Sequence, residues 1–310
     1  MELGCAVPVS GSWATAEGCT AVASWAEELG YGSLWTFQRL LAPVGPDGEH
    51  RLEPQYRSVQ DPLSVLAYLA AKTSKPRLGV AVVNAPYYSP IVLAKQLTTI
   101  DHLSGGRLDV GIGLGWMPEE FEAAGVPYEH RGARTADFVR CLGAIWAQEV
   151  VEYEGPYFRV PRARVDPKPL QRPRPPVLFG GTAAPSLRRA GRMADGWVSS
   201  SRADLGALAG SIGVVRAAAE DAGRDPSSLR FVCRAVVKVR SAERAPLTGT
   251  LDEIREDLGA LAASGMTEAF IDLNFDPLVG SPDADAAASL RHARTVLEAL
   301  APVAGTIGGG

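Results

Sequence analysis

The feature that most constrains the fold is the alternation of short apolar runs with helical patterns along the whole chain. Residues 78–83 form a continuous apolar run, as expected for a parallel strand covered on both faces. The helical patterns between such runs include residues 133–147, 185–193 and 205–222. Strands are predicted at residues 3–7, 33–36, 78–83, 108–112, 177–179, 196–199, 231–239 and 269–273.

Boundary signals agree with this alternation. Asp61-Pro62 combines an N-cap residue with proline at the first helical position, and Thr250 with Glu253 forms a capping box. Eight βα units in 310 residues average about 39 residues each, which suits a single α/β (β/α)8 (TIM) barrel with insertions. A doubly wound parallel sheet is the alternative.

One insertion interrupts the alternation at residues 151–176. It begins as a hairpin with its turn at Gly155-Pro156, and six prolines between positions 161 and 176 exclude a regular helix or a central strand. We expect one domain over residues 1–310, with residues 305–310 frayed. The excursion carries Arg159, Arg162, Arg164, Lys168, Arg172 and Arg174 against one acid, Asp166.

Charge and cysteine usage exclude several classes of protein. The net charge of −4 argues against a nucleic-acid partner, and no apolar stretch reaches the length of about 18 residues that a membrane helix needs. The four cysteines are widely spaced, and the first residues lack the positive charge of a signal peptide, so we expect a cytoplasmic protein. No compact His, Cys or Asp pattern predicts a metal site.

In a (β/α)8 barrel the site lies at the carboxyl ends of the strands. The segment Gly111–Gly115 ends one predicted strand, but position 116 is Trp, so the segment fails as a dinucleotide fingerprint. Its glycines either make room for neighbouring side chains or let a flat ring lie against the backbone. Gly180-Gly181 is either a tight turn or a place where backbone N–H groups meet an anion.

A long string of residues resembles the bacterial-luciferase-like superfamily of flavin and deazaflavin enzymes, in particular its coenzyme F420-dependent oxidoreductase branch. The similarity covers nearly the whole chain and is strongest over residues 78–120. The matching pieces are Ser89-Pro90, Asp101-His102-Leu103-Ser104-Gly105-Gly106-Arg107, Gly111-Ile112-Gly113-Leu114-Gly115-Trp116, Glu119-Glu120, His130-Arg131-Gly132, Gly180-Gly181 and Ala194-Asp195-Gly196-Trp197.

The resemblance implies a luciferase-like barrel, often dimeric, with a cofactor ring over the strand ends. It implies a non-proline cis peptide at Ala81-Val82 and a cofactor phosphate at Gly180 and Gly181. F420 is an 8-hydroxy-5-deazaflavin that ends in glutamates, so the basic excursion either approaches this tail or is merely solvated. The cofactor-binding residues expected are Thr36, Ala81, Val82, Asn84, Gly113, Leu114, Gly115, Trp116, Gly180, Gly181 and Thr182.

Four residues are candidates for catalysis: Gln38, Arg39, Trp116 and His130. Some deazaflavin-dependent relatives carry an Asp-His pair where this chain has Phe37-Gln38, and Gln38 can orient a substrate but cannot exchange a proton. Arg39 either binds an anionic group or is a surface arginine, and His130 is either a proton donor or a solvated loop residue.

Three functions follow as hypotheses. The first is hydride transfer between coenzyme F420 and a small organic substrate. The second is a monooxygenase that uses reduced flavin mononucleotide (FMNH2) and oxygen. The third is a degenerate member that binds a cofactor without turnover. A homodimer is expected in each case, without a nucleic-acid or membrane partner.

Overall fold

The computed structural model describes residues 1–302, so the predicted frayed segment 305–310 lies outside the described residues. The strands of this part of the chain are β1 (Glu2–Ala6), β2 (Ser33–Thr36), β3 (Arg77–Asn84), β4 (Leu108–Gly113), β5 (Val151–Glu154), β6 (Arg159–Ala163), β7 (Val177–Gly180), β8 (Gly196–Val198), β9 (Arg230–Val236), β10 (Lys238–Val239), β11 (Thr248–Gly249) and β12 (Glu268–Asp272).

The helices surround these strands. They are α1 (Ala16–Glu28), α2 (Pro62–Ala70), α3 (Pro90–Leu103), α4 (Pro118–Ala123), α5 (Arg131–Ala147), α6 (Ala184–Met193), α7 (Leu208–Glu220), α8 (Leu251–Ala263), α9 (Pro277–Gly280) and α10 (Ala286–Ala299). No helix within residues 1–302 is long and apolar enough to cross a membrane.

Eight parallel strands close into a barrel in the order β1-β2-β3-β4-β7-β8-β9-β12, and β12 pairs with β1. The closure confirms the predicted (β/α)8 barrel and rejects the doubly wound sheet, which would leave two open edges. All eight predicted barrel strands are present. The loops that follow their carboxyl ends gather at one end of the barrel, where such folds carry their sites.

Three predicted boundaries change. The run 231–239 divides, because β9 ends at Val236 and the short β10 leaves the barrel to pair with β11. The helix predicted from residue 133 begins at Arg131, after His130 in a left-handed conformation. The helix predicted over 205–222 starts as a 3-10 turn and ends at Glu220. The short helices α4 and α9 were not predicted, because four to six residues carry too little periodicity.

Side chains alternate between the interior of the barrel and the layer under the helices. Trp35 and Phe270 point inward and stack with ring centroids 5.0 Å apart. Gly79 makes room for this pair, since an added Cβ would lie 2.4 Å from the Trp35 ring. The neighbouring residues of β2, Leu34 and Thr36, therefore face outward.

An ion-pair network closes the amino end of the barrel. Arg230 donates to Asp109 at 2.8 Å and to Glu268 at 2.9 Å, and Arg77 reaches the same Asp109 at 2.6 Å. The two carboxylates are almost fully buried, so each needs these partners. This arrangement fills one end of the barrel and leaves the other for a site.

The hairpin predicted in the insertion is present, with β5 antiparallel to β6. The proline-rich chain then runs along the amino end of the barrel. Gln171 donates to the carbonyl of Leu108, the first residue of β4, and Arg174 pairs with Asp195, which precedes β8. These contacts place Gln171 and Arg174 at the amino end of the barrel, opposite the strand ends where the cofactor ring is expected, and give no support to the expectation that the excursion approaches its tail.

Candidate active site

The carboxyl ends of the barrel strands surround an open cavity of about 310 Å³. Most of the residues predicted to bind the cofactor line it, and so do Gln38 and Arg39. The predicted residues that line the cavity are Ala81, Val82, Asn84, Gly113, Leu114, Gly115, Trp116, Gly180, Gly181 and Thr182.

Two predicted residues are not part of the cavity lining. Thr36 is buried, and its hydroxyl donates to the carbonyls of Pro62 and Gly79 at 3.5 and 3.4 Å. It faces the helices because strand alternation directs Trp35 inward. His130 is exposed in a left-handed conformation before α5, and the next residue, Arg131, lines the cavity in its place.

The wall of the cavity at β3 is irregular. The Ala81-Val82 peptide bond is cis, as predicted, and the pairing of β3 with β4 shifts register between Val80 and Val83. The Val82 side chain lies against the neighbouring strands β4 and β7. A Cβ added at Gly113 would lie 2.4 Å from Val82 Cγ2, and a Cβ added at Gly180 would lie 2.9 Å from Val82 Cγ1. These two buried glycines make room for Val82, whose side chain therefore forms this part of the cavity wall.

Gln38 braces this wall. Its Oε1 accepts from the backbone N–H of Asn84 at 2.8 Å, and its Nε2 donates to the Tyr88 hydroxyl at 2.6 Å. Asn84 Oδ1 in turn accepts from the N–H of Gly115 at 3.0 Å. Burial raises the pKa of Tyr88 to about 12, so its hydroxyl stays protonated. Because both ends of the Gln38 amide are occupied, this side chain positions the strand ends.

Arg39 is almost fully buried, so the interpretation as a surface arginine is wrong. Its guanidinium pairs with Glu120 at 3.0 Å and lies between the rings of Tyr56 and Trp116, 4.8 and 4.9 Å from their centroids. Glu120 also accepts from the Tyr87 hydroxyl at 3.1 Å. Burial and this carboxylate raise the pKa of Tyr87 far above its usual value. Arg39 Nε has no partner, which leaves a buried donor beside the cavity.

Arg234 of β9 is a cavity residue that sequence reasoning missed. Its side chain is 8% exposed, and its Nε donates to Asp272 at 2.6 Å. The guanidinium lies between the rings of Phe37 and Phe275, 4.5 and 4.3 Å from their centroids. The available signal was an arginine inside the apolar run 231–239, since a charge in a barrel strand requires a buried partner.

Asn274, in the loop after β12, holds the carboxylate of Asp272 in place. Asp272 Oδ1 accepts from the backbone N–H and the side-chain amide of Asn274, at 2.9 and 3.0 Å. Asn274 Oδ1 accepts from the N–H of Val9, which joins the two strands that close the barrel. These contacts fix the Arg234 guanidinium through β12 and its neighbour β1, and a fixed guanidinium stabilises negative charge better than a mobile one.

The opposite side of the cavity is rich in hydroxyl and backbone groups. Gly181 has φ +117°, and its carbonyl accepts from the Trp197 indole at 2.7 Å. Thr182 and Ser186 lie at the start of α6, whose N-cap, Ala183, offers no side-chain cap. Pro185 has no N–H, and the N–H groups of Ser186 and Leu187 donate to the Ala183 carbonyl, so an anion here would rely on the positive end of the α6 dipole and on nearby hydroxyls. The positive φ of Gly181 agrees with the predicted tight turn, and the anion-facing interpretation stays a prediction.

The closed eight-stranded barrel, with an irregular β3 at its carboxyl end, is a barrel of the luciferase-like type. A model of the luciferase-like monooxygenase family matches residues 5–254. The chain belongs to this family, whose members are oxidoreductases and monooxygenases.

Two curated relatives are similar to this chain in sequence. An uncharacterized protein of Mycobacterium tuberculosis is 33% identical over 59% of this chain and 67% of its own length. The FMNH2-dependent dimethylsulfone monooxygenase of Pseudomonas putida is 34% identical over 56% of this chain, but the match spans only 46% of that enzyme.

Solved structures show the same fold at low identity. A monooxygenase from Streptomyces bottropensis has a TM-score of 0.79 at 22% identity, covering 96% of this chain and 98% of that one. An F420-dependent secondary alcohol dehydrogenase, solved with an F420-acetone adduct, has a TM-score of 0.76 at 16% identity over the same shares.

Proposed function

We propose that the protein is an oxidoreductase that transfers a hydride between coenzyme F420 and a small organic substrate. The observation that carries the proposal is the charge of the cavity. Within the described residues its lining contains three arginines, Arg39, Arg131 and Arg234, and the carboxylates that pair with two of them, Glu120 and Asp272, lie behind the lining. Fixed cations without an exposed acid favour a reaction in which negative charge develops on the substrate, as when a hydride adds to a polar double bond.

The residues fit a tricyclic cofactor with a phosphate. Val82 and Gly113 would hold the ring, and Gly181 with the start of α6 would hold the phosphate. When bound, the deazaflavin supplies the hydride from ring carbon 5, while the protein supplies orientation and electrostatics. The similarity in fold to F420-dependent enzymes supports this placement.

The remaining work falls to the side chains of the cavity. Arg234 and Arg39 are held between aromatic rings and orient the polar end of a substrate. The aromatic rings of Phe37 and Tyr56 line the cavity beside these two arginines and exclude water from the guanidinium groups. No histidine, cysteine or carboxylate of the described residues lines the cavity, so we expect any proton needed for the product to come from water at the open mouth.

A monooxygenase that uses FMNH2 and oxygen is the second candidate. The similarity to the Pseudomonas putida dimethylsulfone monooxygenase favours it, because 34% identity is higher than that to the F420-dependent structures. The same ring surface and anion site would serve flavin mononucleotide (FMN). A protein that binds a cofactor without turnover is the third possibility, and a homodimer is expected in each case.

Titration of the purified protein with oxidised F420 and with FMN tests the proposal. Tight binding of F420, with FMN much weaker, is the expected result. Tight binding of FMN alone would replace the first candidate with the second. Binding of both without turnover in the presence of their reduced forms would favour the third.

A further inference from the structure

A second depression, of about 540 Å³, lies on the outer surface of the barrel between α5 and α6. Helix α5 packs on α3 and α6 packs on α7, which leaves the space between α5 and α6 open. Four arginines line this groove: Arg140 of α5 and Arg188, Arg189 and Arg192 of α6. We call it the arginine groove.

Its positive charge is poorly balanced. Arg140 reaches Asp137 at 3.6 Å, but that buried carboxylate also accepts from the Tyr153 hydroxyl at 2.6 Å. In the described part of the chain, no carboxylate lies within 4.0 Å of the three arginines of α6. Arg189 Nη1 is buried without a hydrogen-bond partner, and burial lowers the pKa of this side chain. Like charges held together in this way favour an anionic ligand.

The arginine groove continues from the active-site cavity. Both helices start at the cavity mouth, where Arg131 and Ser186 line it. A Cβ added at Gly132 would lie 2.8 Å from Arg189 Nη2 and 3.6 Å from Leu114 Cδ2, so the Arg189 guanidinium lies close to the rim. At 1.5 Å per residue, the path along α6 from Ser186 to Arg192 is about 9 Å. That length suits several linked anionic groups better than one.

We propose that the arginine groove binds a chain of several carboxylates or phosphates that extends from the molecule held in the cavity. This inference rests on the proposed function, under which the chain is the glutamate tail of coenzyme F420. The path would run from the phosphate position at the start of α6, along Arg189, to Arg188 and Arg192. The cationic tail site therefore lies on α5 and α6 and not on the proline-rich excursion.

The test is fluorescence titration with three probes: F420 with a long glutamate tail, F420 with a single glutamate, and FMN. The variant is R188E/R192E, which leaves the cavity lining unchanged. Its control is K72E/R291E, which makes the same change of charge at two exposed positions away from the groove, one in the turn after α2 and one on α10. In the unaltered protein we expect the long tail to bind about tenfold more tightly than the single glutamate, a difference that R188E/R192E removes and K72E/R291E retains.

Equal affinity for the two tail lengths in the unaltered protein would overturn the inference while leaving the proposed function intact. So would an equal loss of affinity for all three probes in R188E/R192E. If neither form of F420 binds, the proposed function fails. Calorimetric titration with inorganic tripolyphosphate then tests whether the arginine groove binds a multivalent anion. Binding of tripolyphosphate that R188E/R192E abolishes would retain a site for a multivalent anion, and absence of binding to the unaltered protein would reject it.

Discussion

The Nε of Arg234 donates to Asp272 Oδ2 at 2.6 Å, and this pair joins two neighbouring barrel strands beneath the cavity. Because two phenylalanine rings also hold the guanidinium, its plane is fixed before any ligand arrives. A preorganised cation of this kind stabilises a substrate more strongly as negative charge develops on it.

Substitution of Arg234 with lysine keeps the charge and removes the planar fork. We expect kcat/KM to fall by about 100-fold or more, since an ammonium cannot pair with Asp272 and face the cavity at once. The matched control is R230K, which alters the ion pairs at the amino end of the barrel. R230K should lower the free energy of unfolding and leave kcat/KM nearly unchanged. Equal kinetic losses in the two variants would show that Arg234 only supports the fold.

Substitution of Gly113 with alanine tests the ring surface. The new Cβ would lie 2.4 Å from Val82 Cγ2 and 2.5 Å from Asn84 Oδ1, so both side chains must shift toward the cavity. We expect cofactor affinity to fall by about tenfold or more. In G143A, on α5, the Cβ meets nothing within 4 Å, and stability should rise by up to about 1 kcal/mol with affinity unchanged. Unchanged affinity in G113A would refute the proposed ring position.

The Arg39–Glu120 pair provides a stability test. Glu120→Gln leaves a buried guanidinium without its counter-charge, and breaking a buried pair from one side costs about 3–5 kcal/mol. The double variant R39M/E120Q should recover most of this loss, as measured by urea denaturation, because no charge then remains buried there. A double variant as unstable as E120Q alone would mean that Glu120 acts mainly through Tyr87 and the backbone of Leu40.

Buried thiols predict a loss of stability at alkaline pH. Burial raises the pKa of Cys233 and of Cys19 from 9.0 to about 11. Between these values the unfolded chain has lost the thiol protons and the folded chain keeps them, so the free energy of unfolding falls as pH rises from 9.0 to about 11. The slope is about 1.4 kcal/mol per pH unit for each thiol. Urea titrations across this range should show a shallower slope in C233A, and an unchanged slope would contradict the assignment.

The sequence predicted the barrel because periodicity and caps act locally and recur eight times. It also placed ten of the eleven expected cofactor residues on one cavity, since strand ends meet at one edge of a parallel barrel. Thr36 was the exception. Successive residues of a strand face opposite sides, and packing in the barrel interior places Trp35 inside, so its neighbour Thr36 faces the helices.

Other features depend on contacts between distant residues. Arg234 is buried and held by Asp272 and by rings from two loops, none of which is near it in sequence. The path of the proline-rich excursion is set by Asp195 and Leu108 at the amino ends of strands. The arginine groove combines two helices separated by the whole insertion, so a count of basic residues along the chain could not find it.

The most direct test of the account follows a labelled hydride. Reduced F420 that carries deuterium at ring carbon 5 would be incubated without oxygen with a panel of small carbonyl and unsaturated compounds, and products would be analysed by mass spectrometry. The account predicts oxidation of the coenzyme and one deuterium in the product. Absence of any such transfer, together with incorporation of oxygen-18 from labelled oxygen when FMNH2 is supplied, would contradict it.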